Sequence, residues 1–151
     1  MGKEISALTG YPFLDTDELF EEKYRVSILD FFKRYNEESF RKIESEILLE
    51  TLNYKDAIVA TGGGTPCFSD NMEFIKRNGI SIYMKMYLIS LVNRLAVVRK
   101  KRPLLNSIPV KELEPFIRKQ LSERELYYSQ ADFIIDAESI TAVDIVRLIS
   151  A

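Results

Sequence analysis

The hydrophobic and polar positions of this chain form two kinds of segment that alternate. Short β-branched or aromatic runs bounded by turn residues predict buried strands. These runs lie at residues 11–14, 57–59, 80–84 and 132–136. Longer segments with apolar residues at helical spacing, such as 37–52 and 88–98, predict helices between them. Alternation of this kind is typical of an α/β fold with a parallel sheet, and no repeat or linker divides residues 1–151 into two domains.

Several helix boundaries are marked by capping residues. Ser27, Asn36, Asp70 and Thr141 each precede a helical segment and have side chains that can accept a hydrogen bond from the first turn. Gly10 follows the first helical segment and suits the left-handed conformation past a helix end. We therefore expect helices to start directly after these four residues and the first helix to end before Gly10.

A run of three glycines follows the second predicted strand. Gly62, Gly63 and Gly64 come directly after Ala60-Thr61 and before Thr65-Pro66-Cys67. Glycine lets the backbone approach a ligand where a Cβ would collide, and open α/β proteins bind ligands at the carboxyl ends of their strands. A Gly-rich turn without a ligand is the alternative, and the glycines alone favour the two interpretations about equally.

Two pairs of charged residues are candidates for chemistry. Asp17 can cap a helix over 18–24, whereas Asp15 is harder to explain in that way. Together they could hold a magnesium ion or a sugar-like hydroxyl, and one could act as a general base. Arg41 and Glu44 share one face of the next long helix. They form either an exposed ion pair worth under about 1 kcal/mol or an arginine that Glu44 holds ready for a ligand carboxylate.

A basic run from Arg99 to Arg102 follows the helix over 88–98 and ends at Pro103. Such a run is usually a solvated surface, but two arginines and two lysines also suit a mobile lid that binds an anion. We expect the lid to cover about residues 99–110, before a long helix that starts near Val110 and carries Arg124.

Composition narrows the possible chemistry. Hydrophobic residues make up 46% and charged residues 29% of the chain, which is ordinary for a soluble globular protein. A net charge of −2 gives no reason to expect nucleic acid as a partner. Absence of a long apolar run and the single cysteine, Cys67, favour a cytosolic protein without a membrane partner. The chain has no histidine, so proton transfer falls to a carboxylate, a lysine or a tyrosine.

Five short motifs in order make the chain resemble the shikimate kinase family of P-loop small-molecule kinases. They are Phe13-Leu14-Asp15-Thr16-Asp17, Phe40-Arg41-Lys42-Ile43-Glu44, Thr61-Gly62-Gly63-Gly64, Arg102-Pro103-Leu104, and Arg124 followed by Tyr127. The resemblance covers Met1 to about Ile149. It implies a single, monomeric domain with three α/β/α layers and a parallel sheet of strand order 2-3-1-4-5. It also implies ATP- and magnesium-dependent phosphorylation of the shikimate 3-hydroxyl, in aromatic amino acid biosynthesis.

The resemblance implies a substrate-binding region at about residues 17–45 together with the glycine run. Asp17 would bind shikimate hydroxyls and help to take the proton of the 3-hydroxyl. Arg41 and Arg124 would clamp the substrate carboxylate, with Glu44 orienting Arg41. The ring would be contacted by backbone and by a pocket wall, formed by Gly63, Gly64, Phe32 and Phe40.

The resemblance also implies a nucleotide side to the site. Arg102 would close from the lid over the transferring phosphate and Arg94 would lie against adenine. Asp15 would sit beside the water shell of magnesium.

One departure from the family concerns the phosphate-binding loop. The family begins with a strand and a loop of the form Gly-x-x-x-x-Gly-Lys-Ser/Thr, whereas Met1-Gly2-Lys3-Glu4 has Glu4 in place of the hydroxyl and no strand before it. We therefore expect an N-terminally truncated chain with little kinase activity. We also expect a sheet split at its missing first central strand, with unpaired ladder groups. The alternatives are a misassigned start, a catalytically inactive binding module, and a related enzyme such as a gluconate kinase.

Overall fold

Eight α-helices alternate with four short β-strands along residues 1–151 in the computed structural model of the chain. The helices are α1 (Gly2–Thr9), α2 (Thr16–Tyr24), α3 (Ile28–Arg34), α4 (Glu37–Glu50), α5 (Asn71–Asn78), α6 (Leu88–Val98), α7 (Val110–Tyr128) and α8 (Ala142–Ser150). The strands are β1 (Phe13–Asp15), β2 (Ile58–Ala60), β3 (Ile82–Lys85) and β4 (Phe133–Asp136). None of the helices has both the length and the apolar composition needed to cross a membrane.

Most of the predicted helix caps are confirmed. Ser27 and Asn36 accept hydrogen bonds from the Asp30 and Ser39 amides, and Thr141 forms a reciprocal capping box with Asp144. Gly10 ends α1 with a φ of 75°, in the left-handed region that glycine favours. Helix α5 also starts directly after Asp70, as predicted, but the Asp70 side chain accepts no hydrogen bond from its first turn.

Helix α2 begins earlier than predicted and is capped by a different aspartate. Asp15 has an extended backbone and its carboxylate accepts hydrogen bonds from the Asp17 and Glu18 amides. The prediction that Asp17 caps this helix is therefore wrong. Because Asp15 satisfies the free amides of the first turn, the Asp17 carboxylate is left for contacts elsewhere.

The four strands pair as two separate parallel sheets. β1 pairs with β2, and β3 pairs with β4. No ladder joins β2 to β3, so the single continuous sheet that the alternation of strands and helices favours is not formed by these strands. The expected division into two sheets is present, whereas the strand order 2-3-1-4-5 with a further central strand stays a prediction.

β2 and β3 each keep one edge without a strand partner. In a parallel ladder, successive residues of a strand direct their backbone groups to opposite sides. The Ile58 amide bonds to the Pro12 carbonyl on the β1 side, so the backbone groups of Val59 face the free edge. The Ser81 carbonyl accepts a bond from the β4 side, so the backbone groups of Ile82 face the free edge of β3. A cavity of about 1550 Å³ is lined by both strands.

Three apolar clusters stabilise the structure. One lies among α2, α3 and α4, the second joins α1 to α8, and the third joins α7 to the segment between α6 and α7. Their buried members are, in this order, Phe20, Phe31, Phe40 and Ile47; Ile5, Ala142 and Ile145; and Leu105, Leu113 and Ile117. The first cluster holds the helices of the predicted substrate-binding region, and the third fixes the base of the predicted lid.

Candidate active site

The glycine run lies at the carboxyl end of the β1–β2 pair. It leaves β2 after Ala60 and enters a short 3₁₀ turn at Thr65–Cys67. The Thr65 amide bonds to the Gly62 carbonyl, which folds the run back on itself. The Gly63 and Gly64 amides donate to no backbone or side-chain acceptor of the protein. Both N–H groups are therefore without a protein partner at this strand end, where Gly63 is exposed and Gly64 is buried.

Each of the three glycines leaves room for a charged side chain. A Cβ on Gly64 would lie 2.5 Å from Arg41 Nη2 and 2.7 Å from its Cζ, so any side chain there would displace the guanidinium. A Cβ on Gly63 would lie 3.0 Å from Arg124 Nη1. A Cβ on Gly62 would lie 3.3 Å from Asp17 Oδ1 and 3.2 Å from a Glu44 carboxylate oxygen. The run thus brings two arginines and two carboxylates together, which favours a ligand site over a plain turn.

Arg41 and Glu44 form a buried ion pair. Arg41 Nη1 donates to Glu44 Oε2 over 2.9 Å, and the two side chains are only 10% and 4% exposed. The second Glu44 oxygen accepts a 2.7 Å hydrogen bond from the Thr65 hydroxyl. The interpretation of these residues as an exposed surface pair is therefore wrong. Burial makes the geometry of the pair specific, because both charges lose their water and need fixed partners.

The Arg41 guanidinium contacts two aromatic rings in addition to its carboxylate partners. The Phe68 ring centroid lies 4.2 Å and the Phe40 centroid 5.3 Å from Arg41 Cζ, distances typical of cation–π contacts. Glu37 accepts hydrogen bonds from Nε and Nη2, and Glu44 from Nη1. Three of the five guanidinium hydrogens are thus used, which leaves two to bind an anion. Phe40 also contacts Phe32, with ring centroids 5.0 Å apart, and both line the large cavity; their role as a wall of the substrate pocket stays a prediction.

Asp17 is half-buried beside the glycine run, and its electrostatic surroundings are mixed. Burial is the main cause that raises the pKa of Asp17, and the negative charge of Asp15 raises it further. The Arg102 guanidinium acts in the opposite direction, so the lid segment brings one cation within electrostatic reach of Asp17. The Arg102 carbonyl accepts hydrogen bonds from the Leu105 and Asn106 amides, which fix the backbone at this point.

Arg124 and a tyrosine reach the glycine run from the same face of α7. Tyr128 follows Arg124 by four residues, and its hydroxyl donates a hydrogen bond to the Gly63 carbonyl. The sequence motif pairs Arg124 with Tyr127, which instead lines a separate cavity of about 480 Å³ beside Glu123. The helical spacing of four is the signal that selects Tyr128. No local pattern marks Phe68, whose ring meets Arg41 only in the folded structure.

Two of the three residues predicted for the nucleotide side, Arg94 and Asp15, make other contacts. Arg94 is exposed on α6 with Nη1 3.8 Å from Met86 Sδ, although it lines the same large cavity. Asp15 lies next to the site but serves as the cap of α2. Within the lid, Arg99 donates to the Ile108 carbonyl, so its guanidinium holds the segment together. No group of three or more acidic or cysteine side chains is arranged to bind a metal ion.

Comparison with known proteins identifies the family of the chain. A family model described as Shikimate kinase matches residues 1–150. The chain belongs to the shikimate kinase family. Two relatives named Shikimate kinase illustrate the similarity. That of Parabacteroides distasonis is 37% identical over 140 residues, which cover 93% of this chain and 81% of the relative. That of Flavobacterium psychrophilum is 38% identical over 149 residues, covering 97% and 87%.

Solved structures of shikimate kinases share the fold. The crystal structure of the Bacteroides thetaiotaomicron enzyme superposes with a TM-score of 0.91 at 30% identity, covering 99% of this chain and 90% of that one. The Acinetobacter baumannii enzyme in complex with shikimate gives a TM-score of 0.86 at 31% identity, covering 99% and 82%. The family resemblance predicted from five motifs is therefore confirmed, and with it a place among the kinases of aromatic amino acid biosynthesis.

We predict that Gly64→Ala destabilises the protein by about 2–4 kcal/mol, because the added methyl group must push the Arg41 guanidinium away from Glu44 and leave a buried charge poorly paired. The Gly64 backbone itself has an ordinary helical φ of −87°, so strain does not contribute. Urea denaturation followed by circular dichroism measures the change. The matched control is Gly79→Ala, where the nearest atom to the new Cβ is 3.9 Å away. Equal stability of the two variants would contradict the close fit at Gly64.

We predict that Asp17→Asn stabilises the protein at neutral pH. The folded-state pKa of Asp17 lies above its ordinary value of 3.8, so the ionised carboxylate opposes folding. The stability that protonated Asp17 provides is present below the unfolded-state pKa and is lost as pH rises through the folded-state pKa. The melting temperatures of wild type and variant should therefore diverge as pH increases from 3 to 7, a range about the ordinary carboxyl pKa.

Proposed function

We propose that this chain binds shikimate and holds its 3-hydroxyl beside Asp17 for phosphorylation by ATP. The observation that carries the proposal is the convergence of Arg41, Arg124 and Asp17 on the three glycines at the end of β2. The two arginines and the unpaired amides of the glycine run can bind a carboxylate group of a ligand. The Asp17 carboxylate can accept hydrogen bonds from hydroxyl groups of the same ligand. The relative from Acinetobacter baumannii, 31% identical, has been solved in complex with shikimate, which supports the same substrate here.

Arg41 and Arg124 would bind the shikimate carboxylate. Arg41 keeps two guanidinium hydrogens free after its bonds to Glu44 and Glu37, and its orientation is set by the buried pair. Arg124 reaches the same place from α7, on the far side of Gly63. A carboxylate held between two fixed guanidinium groups has one preferred orientation, so the ring hydroxyls would be directed at the remaining polar groups of the site.

Asp17 would accept the proton of the 3-hydroxyl. Burial raises the pKa of Asp17, which makes its carboxylate a stronger base than that of an exposed aspartate. As the hydroxyl oxygen bonds to the γ-phosphorus, its proton passes to Asp17 and ADP leaves with the electrons of the broken P–O bond. Arg102 lies within electrostatic reach of Asp17 and would stabilise the negative charge on the transferring group. Phosphoryl transfer needs such positioning and charge neutralisation, so the lack of histidine is no obstacle.

Magnesium-bound ATP would supply the phosphoryl group. Asp15 and Asp17 are close enough for their charges to interact, and a magnesium ion that keeps most of its water needs only one or two carboxylates. The residues present therefore fit an ion that arrives with the phosphates, held through water by Asp15. Arg94, in the same cavity, would lie against the adenine.

A complete phosphate site would also need a phosphate-binding loop, carried by a further strand between β2 and β3. Support comes from the free backbone edges of these strands and from the cavity that both line. A strand inserted there in parallel would complete the order 2-3-1-4-5, with β1 to β4 as members 2, 3, 4 and 5. Its carboxyl end would meet the glycine run, because the ends of parallel strands share one edge of the sheet. A Gly-rich phosphate loop after it would then face Asp17.

One observation favours a second candidate function, a binding module without turnover. Residues 1–151 contain no Gly-x-x-x-x-Gly-Lys-Ser/Thr sequence, and the amides and lysine of that loop are what hold the β- and γ-phosphates in P-loop kinases. The shikimate-binding half of the site does not depend on this loop. The two candidates therefore share a ligand and differ in ATP turnover.

We expect calorimetry to detect shikimate binding by the 151-residue chain and a loss of at least tenfold in affinity for Arg41→Ala. The reason is that a hydrogen bond to a charged group contributes about 1.5–3 kcal/mol. Arg118→Ala is the matched control, because Arg118 is exposed on α7 and pairs only with Glu114. Binding that survives Arg41→Ala would count against the carboxylate clamp.

We expect little ADP release from ATP and shikimate with the 151-residue chain alone. Fusing a strand and a Gly-x-x-x-x-Gly-Lys-Thr loop before Met1 should raise the rate strongly, since such a loop supplies backbone amides and a lysine that bind the β- and γ-phosphates. A coupled ADP-release assay compares the two proteins. Substantial turnover by the shorter chain would contradict the need for the loop. A fused protein that binds shikimate but stays inactive would favour the binding module.

A further inference from the structure

Tyr128 contacts the glycine run but has no role in the function proposed above. Its hydroxyl donates to the Gly63 carbonyl, which is 65 positions away in sequence. A Cβ on Gly63 would lie 3.3 Å from this hydroxyl and 3.0 Å from Arg124 Nη1. Tyr128 and Arg124 are one helical turn apart on α7, and both therefore lie close to Gly63.

The Tyr128 ring is held in place by β3. Its centroid lies 4.8 Å from that of Tyr83, at an interplanar angle of 41°. The Tyr83 hydroxyl lies 3.5 Å from the Glu125 carboxylate, and Lys85 pairs with the same carboxylate. Burial raises the pKa of the Tyr128 hydroxyl, so it stays protonated and remains a donor at physiological pH. The hydrogen bond to Gly63 thus comes from a fixed ring and a permanent donor.

Holding a carbonyl also orients the amide on the other side of the same peptide bond. In a trans peptide the C=O and the next N–H point in opposite directions. The Gly63 carbonyl is directed at Tyr128, so the Gly64 N–H is directed away from it, and this N–H donates to no protein acceptor. A peptide between two glycines can otherwise rotate with little steric cost. Two side chains contact the Gly63 carbonyl, the Tyr128 hydroxyl and, more weakly at 4.0 Å, the Cys67 Sγ, and the Tyr128 hydrogen bond is the stronger restraint on this rotation.

We propose that Tyr128 is a positioning residue that holds the Gly63–Gly64 peptide so that the Gly64 N–H is presented to an oxygen atom of the substrate. The proposal rests on the proposed function, because the substrate is the one bound by Arg41 and Arg124. Without the hydroxyl, the peptide would populate other orientations, and the substrate would have to select the correct one at a cost in affinity.

Tyr128→Phe tests the proposal, since it removes only the hydroxyl and keeps the ring against Tyr83. We expect shikimate affinity, measured by calorimetry, to fall about 3- to 10-fold, the effect of one neutral hydrogen bond. The melting temperature should change little. Tyr127→Phe is the matched control on the same helix, and it should bind shikimate as the wild type does.

Amide NMR of the free protein provides a second readout that does not depend on shikimate. The chain has six glycines, so their amide resonances are few enough to assign. In Tyr128→Phe the Gly64 amide resonance should shift, and in Tyr127→Phe it should not. An unchanged Gly64 resonance together with wild-type affinity would overturn the proposal. Failure of the wild type to bind shikimate would overturn the proposed function, while a shifted Gly64 resonance would still support the orienting role of Tyr128.

Discussion

The site depends on one buried ion pair. Arg41 and Glu44 lose their water together, and each must therefore be satisfied by fixed protein groups. Glu44 receives Arg41 on one oxygen and Thr65 on the other, while Arg41 lies between aromatic rings. The guanidinium occupies the space where a side chain on Gly64 would be. This combination ties α4 to the loop after β2 in a single arrangement, and the rest of the pocket is built around it.

The arrangement places cations around one carboxylate. Arg41 and Arg124 reach the glycine run from two different helices, and Arg102 acts on Asp17 from the lid. Burial nevertheless keeps the pKa of Asp17 above its ordinary value, so ionisation of this carboxyl is less favourable in the folded protein than in water. Unfavourable ionised groups of this kind are common where chemistry requires a base. Asp15, as cap of α2, leaves the Asp17 carboxylate free, as its proposed role as a base requires.

The interrupted sheet affects the site through its strand ends. Only β1 and β2 form the edge from which Asp17 and the glycine run project, whereas β3 contributes Tyr83, which holds Tyr128 in place. The two sheets are thus connected at the site by side chains rather than by a ladder. The open edges of β2 and β3 leave apolar residues half-exposed, such as Val59 at 37%. An added strand would cover these edges and approach the site at the same time.

The sequence by itself determined the elements, their order and the family. The bounds of α6, the caps at Ser27, Asn36 and Thr141, and the glycine run at a strand end all follow from contacts within a few residues. The tertiary structure decided which aspartate caps α2, that Arg41–Glu44 is buried, and that Tyr128 rather than Tyr127 meets the glycines. Tyr128 and Gly63 are 65 positions apart, and Thr65 and Glu44 are 21 apart. Local periodicity and propensity cannot predict such contacts, because these contacts form only when separate helices and strands pack together.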